Sequence, residues 1–145
     1  MPDQPQQLLS FDYGKARIGV AVGQAFTGSA NALTTVVGPY GKPNWDKIIQ
    51  LIAEWAPDII IVGLPLRSQG EESKLTVAAR EFADELHQRC KLPIELFDER
   101  LSSSEAENRF KELRKQGQLK AKDKIKLDAM SAQIILQGWM WENLK

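Results

Sequence analysis

Three acidic residues occur at positions from which their carboxylates could act together at one site. Asp12 ends a short apolar segment, Glu99 follows another, and Asp128 lies among the apolar residues of the last helical pattern. An ionised carboxylate at the edge of a core costs free energy unless a counter-charge accompanies it. Carboxylate oxygens suit Mg²⁺ or Mn²⁺, and a pair of such ions promotes in-line phosphodiester hydrolysis. The pattern predicts that these acids form a catalytic and metal-binding set.

Each of these acids also has an ordinary structural interpretation. Asp12 can simply begin a turn, and Glu99 can form an ion pair with Arg100. Asp128 can be the N-cap of the last helix. Side chains alternate along a strand, so Asp98 and Glu99 should point to opposite faces and only one can easily join the set. Asp98 would then pair with a neighbour or act as a spare ligand.

Basic residues accompany the acids in two parts of the chain. Four of them are close in sequence to the predicted site and could contact a phosphate or simply be solvated: Lys15, Arg17, Arg67 and Arg100. The segment 109–126 holds eight basic and two acidic residues, a net charge of +6 in a chain whose overall charge is zero. Such a stretch is either a solvated loop or a contact for a polyanion. Its candidate nucleic-acid contacts are Lys120, Lys122 and Lys124.

The spacing of apolar residues predicts the element order β-β-β-α-β-α-β-α-α. We expect strands at Leu8–Asp12, Arg17–Val22, Ala32–Val37, Asp58–Gly63 and Pro93–Phe97. Helices are expected after Asn44, from Ser73 to about Cys90, after Ser102 or Ser103, and over Lys126–Asn143, with a basic loop before the last. This order predicts an α/β fold of the ribonuclease-H-like kind. Its mixed five-stranded sheet has three antiparallel strands, then parallel βα units, and helices on both faces.

That architecture would bring the distant acids together. With the first strand central, the ends of strands one and five lie on the same side of the sheet. A helix packed across that end can add Asp128. The segment Gly63–Gly70 would be a loop at the carboxyl end of a parallel strand, where ligands tend to bind in open α/β sheets.

Length and composition restrict the class of protein. The 145 residues suit a single domain, 1–145. No run of eighteen apolar residues occurs, and the start MPDQPQQ lacks the features of a signal peptide. One cysteine, Cys90, permits no internal disulfide. We therefore expect a cytoplasmic protein with no membrane partner.

Four segments together resemble one family. They are FDYGKARIGVAVG, IIVGLPLRSQGEES, FDERLSSSEAE and KLDAMSAQIILQGWM, and they are spread from Leu8 to about Trp141. In this order and spacing they resemble the YqgF/RuvX family, described both as Holliday junction resolvases and as pre-16S ribosomal RNA nucleases. The resemblance implies a ribonuclease-H-like fold and a nuclease that depends on Mg²⁺ or Mn²⁺. It also implies metal-binding, catalytic acids at Asp12, Glu99 and Asp128.

Several functions remain open at this point. The favoured one is a nuclease for structured RNA, acting in 5′-end maturation of the small-subunit ribosomal RNA precursor. A second is the same chemistry on four-way DNA junctions, which would require a dimer. A third is a non-catalytic nucleic-acid adaptor in transcription or ribosome assembly. A fourth is an actin-like phosphotransfer module, for which 145 residues leave too little room. We expect a monomer or weak homodimer.

Overall fold

The computed structural model describes residues 6–101 and 121–144, of which 121–126 are described by their backbone alone. These ranges contain five strands, three helices and a short 3₁₀ turn. The strands are β1 (Gln7–Asp12), β2 (Arg17–Gln24), β3 (Ser29–Val37), β4 (Ile59–Leu64) and β5 (Ile94–Asp98). The helices are α1 (Trp45–Trp55), α2 (Lys74–Cys90) and α3 (Ala121–Asn143), and the 3₁₀ turn is Glu99–Leu101.

The strands form one mixed sheet in the order β3-β2-β1-β4-β5. The pairs β1–β2 and β2–β3 are antiparallel, whereas β1–β4 and β4–β5 are parallel. The first strand is therefore central, as expected for this fold class. The carboxyl ends of β1, β4 and β5 lie at the same edge, together with the start of β2 and the end of β3. We call this edge the site edge.

Helices cover both faces of the sheet. On one face, residues of α1 and α2 such as Ile48, Phe82 and Leu86 pack against Leu9 and Phe11 of β1. On the other face, α3 is the one helix among residues 6–101 and 121–144, and its core residues contact the opposite side of the same strands: Ala132, Ile135, Leu136, Trp139 and Met140. The predicted three-layer arrangement is confirmed.

Side chains at the helix starts explain where α1 and α2 begin. Asn44 caps α1 by accepting a hydrogen bond from the backbone N–H of Lys47 at 3.3 Å. Ser73 and Thr76 form a reciprocal capping box at the start of α2. Each pairing satisfies backbone donors that a helix start leaves open. Both starts agree with those predicted from the sequence.

Two boundaries differ from the sequence-based expectation by three residues or more, whereas the other strand ends differ by two residues or fewer. Strand β3 begins at Ser29 rather than Ala32, because Ser29 and Ala30 pair with the end of β2. Helix α3 includes residues 121–125, which were expected to belong to the basic loop, and alanine and lysine are good helix formers. Asp128 is therefore inside the helix, and its interpretation as an N-cap is wrong. The helix predicted after Ser102 or Ser103 lies outside the described residues.

Within the ranges 6–101 and 121–144, no helix has both the length and the apolar character that crossing a bilayer requires.

Candidate active site

Alternation along β1 directs Asp12 toward α3. Leu8 and Ser10, at the even positions before it, are buried on that side of the sheet. The Ser10 hydroxyl donates a hydrogen bond to the backbone carbonyl of Ala132 at 2.6 Å. Since side chains two residues apart share a face, the carboxylate of Asp12 points toward the same helix.

Glycines flank Asp12 on both neighbouring strands. Gly19 lies opposite it on β2, and Gly63 follows the β4 residue that pairs with Phe11. A β-carbon at Gly19 would lie 1.8 Å from the carbonyl oxygen of Asp128. A β-carbon at Gly63 would lie 3.1 Å from Oε1 of Glu99. The missing side chains let α3 approach the sheet and leave space for the three carboxylates.

The same alternation separates Asp98 from Glu99. Phe97 of β5 is buried on the α3 side, and Glu99, two residues later, places its carboxylate over Gly63. Asp98 binds Arg100 instead, so it is not a spare ligand in this arrangement. Its Oδ1 accepts the backbone N–H of Arg100 at 2.9 Å, and its Oδ2 accepts Nη2 at 2.6 Å. Arg100 therefore pairs with Asp98 rather than with Glu99.

The electrostatics of Asp12 show how crowded this pocket is. Burial raises the pKa of Asp12 well above its ordinary value, and the negative charges of Glu99 and Asp128 raise it further. Burial also raises the pKa of Glu99, while a hydrogen bond from Asp12 opposes that shift. Asp12 and Glu99 are therefore close enough to share a proton. Carboxylates in this relationship cannot both ionise cheaply without a cation.

Asp128 has a cationic partner of its own. Its Oδ2 lies 2.9 Å from Nε of Arg17, the first residue of β2, and both side chains are partly exposed. Arg17 was predicted to contact nucleic acid, and the structure places it against a predicted metal ligand. The charge of Asp128 also acts on Asp12, so Asp128 belongs to the same electrostatic group.

Sequence reasoning missed Ser131. It lies three residues after Asp128, and its hydroxyl lies 3.0 Å from the carbonyl oxygen of Leu127. The same polar hydroxyl also lowers the pKa of the Asp12 carboxyl, partly offsetting the effect of burial. The signal was present, because residues three apart on a helix share a face.

The remaining basic residues that were predicted to contact nucleic acid lie in different parts of the structure. Lys15 lies in the β1–β2 turn, with Nζ 5.3 Å from the centre of the Tyr40 ring. Arg67 is exposed at a tight turn, where the N–H of Gly70 donates to its carbonyl at 2.8 Å. Of the basic segment, Lys120 is outside the described residues. Lys122 and Lys124 are placed in α3 by their backbone alone.

Comparison with known proteins gives the same family as the sequence motifs. The family model described as "RuvX: Holliday junction resolvase" matches residues 6–142. The chain belongs to this family. A Pectobacterium atrosepticum relative, named "Putative pre-16S rRNA nuclease", is 50% identical over 132 residues, 91% of this chain and 93% of its own. A relative of the same name from Nitrosococcus oceani is 47% identical over 146 residues, 97% and 90% of the two chains.

Solved structures confirm the fold of this RuvX-family chain. Thermus thermophilus RuvC in complex with a Holliday junction superposes with a TM-score of 0.59 at 13% identity, covering 94% of both chains. The fowlpox virus resolvase in complex with junction DNA has a TM-score of 0.56 at 14% identity, covering 97% of this chain and 100% of its own. The prediction of a nuclease of the YqgF/RuvX family with a ribonuclease-H-like fold is confirmed.

The donor atoms of this RuvX-family site fit a divalent cation. Asp12 and Glu99 offer hard carboxylate oxygens. Their raised pKa values mean that ionising both groups costs free energy, and a bound cation would lower that cost. Across the described side chains, however, no three acidic, histidine or cysteine groups stand close enough to form a complete ligand set. Asp128 is paired with Arg17. It would have to turn toward the other two carboxylates to become the third ligand.

Proposed function

We propose that this chain is a divalent-metal-dependent nuclease that hydrolyses phosphodiester bonds in structured nucleic acid. The observation that carries the proposal is the convergence of Asp12, Glu99 and Asp128, from β1, the 3₁₀ turn and α3, into one electrostatic group. A surface that only binds an anionic nucleic acid gains nothing from partly buried carboxylates. A surface that binds cations for hydrolysis requires them.

Each residue of the site has a separate role in this proposal. Asp12 and Glu99 are the cation ligands, and Asp128 is the third once it turns from Arg17. The Ser131 hydroxyl stabilises the charged form of the Asp12 carboxyl, since it lowers the pKa of that group. When bound, Mg²⁺ or Mn²⁺ supplies an activated water and stabilises the charge that develops at the scissile phosphate.

Pre-16S ribosomal RNA is the substrate we favour, in the maturation of its 5′ end. Relatives covering 90% or more of this chain carry that substrate in their name. Cationic side chains at the site edge would hold the RNA backbone beside the acids. They are Lys15, Arg17, Arg67 and Arg100, with Lys120, Lys122 and Lys124 of the basic segment as further contacts.

A cleavage assay with two substrates tests this proposal. A pre-16S RNA fragment and a four-way DNA junction are offered side by side with Mg²⁺, with Mn²⁺ and with a chelator. We expect cleavage of the RNA that requires the ion and is abolished in Asp12→Asn, Glu99→Gln and Asp128→Asn. Circular dichroism and thermal unfolding verify that each variant is folded.

The matched control is Asp84→Asn, an exposed aspartate on α2 away from the site. It should cleave as the unmodified chain does. If cleavage persists without divalent ions, or in the three site variants, the chain is not a nuclease of this mechanism. Ion-independent binding without cleavage would support the adaptor interpretation.

Junction resolution is the second candidate, and the family description favours it. Cutting a four-way junction requires two active sites, so this function predicts a dimer on the DNA. Sedimentation with and without junction DNA distinguishes the two functions. Cleavage of the junction by a dimer, with the RNA left intact, would favour resolution.

Three coarser expectations accompany the proposal. We propose that residues 1–145 form one nuclease domain, since every described strand belongs to a single sheet. We also propose a cytoplasmic location, where the ribosomal RNA precursor would be met. The oligomeric state proposed for RNA cleavage is a monomer or weak homodimer.

A further inference from the structure

An exposed tyrosine lies at the site edge beside a predicted nucleic-acid contact. Tyr40, between β3 and α1, is 74% exposed, so most of its ring surface is open to solvent. Nζ of Lys15 lies 5.3 Å from the centre of the ring, a cation–π distance. Tyr13, by contrast, packs its ring 5.1 Å from that of Phe82 against the core. The Tyr40 side chain, unlike that of Tyr13, therefore does not contribute to core packing.

Backbone hydrogen bonds hold the loop of Tyr40 against the β1–β2 turn. The N–H of Gly38 donates to the carbonyl of Ala16 at 3.0 Å, and the N–H of Gly41 donates to that of Lys15 at 2.8 Å. Gly41 has a φ of 75°, a left-handed conformation that glycine adopts without strain. Tyr40 is thus presented by a folded loop rather than by a loose chain.

This loop is near the acids. Lys15 is three residues beyond Asp12, so their α-carbons are at most about 11 Å apart. Across the sheet, Gly19 pairs with both Asp12 and Thr35, which places the end of β3 two strand spacings, about 10 Å, from β1. Because Lys15 is close to Asp12 in the sequence and to the Tyr40 ring in space, a strand of nucleic acid that continued from Asp12 toward the end of β3 would pass over Lys15 and reach Tyr40.

We propose that Tyr40 and Lys15 form a stacking position for an unpaired base of the substrate, next to the bond that is cut. The proposal rests on the proposed nuclease function and specifies its substrate class: nucleic acid with a single-stranded segment at the cleavage site. Aromatic rings stack on any exposed base, and a neighbouring lysine contacts the backbone phosphate. Bases inside a duplex are covered by their neighbours and cannot reach the ring.

The charges beside the ring favour nucleic acid over a protein partner. Lys15 lies on the adjoining turn, and Lys42 is exposed two residues after Tyr40. No acidic residue occurs between Tyr13 and Trp45. This stretch of sequence therefore presents an aromatic ring in a positive surrounding, which suits a polyanion with exposed bases.

Binding of 2-aminopurine oligoribonucleotides tests the proposal. The full chain carries Asp12→Asn so that binding is measured without cleavage. One probe is single-stranded with one 2-aminopurine, and the other is the same strand fully paired. We expect Tyr40→Ala to weaken single-strand binding about tenfold and to remove the fluorescence quenching caused by stacking. Tyr40→Trp should restore both, and duplex binding should not change.

Phe26→Ala is the matched control. Phe26 is 93% exposed and follows β2, whose last residue pairs with the first residue of β1, so it lies at the opposite edge of the sheet. It should leave binding of both probes unchanged. The proposal is overturned if Tyr40→Ala leaves single-strand binding intact, which would point to a protein partner. Equal losses for both probes, or for Phe26→Ala, would overturn it as well.

Different results would contradict the nuclease proposal and the base-stacking proposal. Cleavage abolished by Asp12→Asn, together with binding that ignores Tyr40, would leave the nuclease and remove the stacking position. Binding that depends on Tyr40, together with cleavage that ignores Asp12, would leave a base-stacking site on a protein with another mechanism.

Discussion

The backbone of Gly19 lies directly beneath that of Asp128, so closely that a β-carbon on Gly19 would be 1.8 Å from the Asp128 carbonyl oxygen. Contact between two backbones cannot be relieved by rotating a side chain. This contact fixes the height of α3 above the sheet at the position of Asp128.

Gly19→Ala should therefore damage both stability and cleavage. We expect the free energy of unfolding to fall by about 1–3 kcal/mol, because the helix must rise to admit a methyl group. Cleavage should fall about 100-fold, since the helix would carry Asp128 away by about an ångström. Urea unfolding and single-turnover cleavage measure the two effects.

Gly23→Ala is the control for this substitution. A β-carbon there would meet Cδ2 of Leu136 at 2.8 Å, a side-chain atom that can move, and the nearest backbone atom, the Ser29 carbonyl oxygen, would be 3.1 Å away. A smaller loss of stability with near-normal cleavage is expected. Equal cleavage by the Gly19 and Gly23 variants would mean that the backbone contact does not position the site.

The raised pKa values of Asp12 and Glu99 predict how stability depends on pH. In the folded chain both carboxyls hold their protons at a higher pH than in the unfolded chain. In a chelator, they therefore make the free energy of unfolding decrease as pH rises from about 4 toward neutrality. Asp12→Asn removes the larger contribution, so this variant should melt at a higher temperature than the unmodified chain near pH 7.

The melting-temperature difference between that variant and the unmodified chain is the decisive quantity. It should be positive at neutral pH and vanish below about pH 4, where the aspartate is protonated in both states. Asp84→Asn, on exposed α2, should show no such trend. A difference that is constant with pH would contradict the electrostatic account of Asp12.

Divalent ions should stabilise the chain through the same carboxylates. An ion that binds only the folded state at a hundred times its dissociation constant adds about 2.7 kcal/mol. Thermal unfolding with increasing Mn²⁺ should show this as a rising melting temperature. The rise should be lost in Asp12→Asn and in Glu99→Gln. Equal rises in these variants would place the ion elsewhere.

Asp98 should matter because it positions Glu99. Its carboxylate binds both the backbone and the guanidinium of Arg100, and Nη1 of Arg100 reaches the Ser68 carbonyl at 3.4 Å. Asp98→Ala releases the 3₁₀ turn that carries Glu99. We expect kcat to fall 10–100-fold, by analogy with residues that support metal ligands, with KM little changed. Because both side chains are partly exposed, stability should change little.

The ion pair between Glu85 and Arg89 on α2, at 2.9 Å, provides the comparison. Glu85→Ala breaks a more exposed ion pair far from the site and should leave kcat unchanged. If the Asp98 and Glu85 variants lose activity equally, the role of Asp98 is general rather than local.

Much of this site followed from sequence periodicity. The two-residue period of the β5 segment predicts that Asp98 and Glu99 point to opposite faces, because neighbouring side chains on a strand alternate. The same rule, applied to β1, directs Asp12 toward α3. The order of strands followed from the pattern of apolar segments, and caps at Asn44 and Ser73 marked two helix starts correctly.

Other features depend on contacts that no local pattern encodes. The pairing of Arg17 with Asp128 joins residues more than a hundred positions apart, so sequence proximity suggested only a phosphate contact for Arg17. Gly19 and Gly63 look like ordinary strand glycines until α3 is placed over them. The start of α3 was placed too late because charge suggested a loop where helix propensity favoured a helix.

The glycines under α3 also bear on how the protein tolerates change over evolution. Elsewhere in the core, one apolar side chain can shrink as its neighbour grows, and the layers drift accordingly. At Gly19 there is no such freedom, since its main chain lies against that of Asp128. The distance between α3 and the sheet at this point therefore does not change with substitutions in the surrounding core. Sequences can diverge widely around it while that distance stays constant.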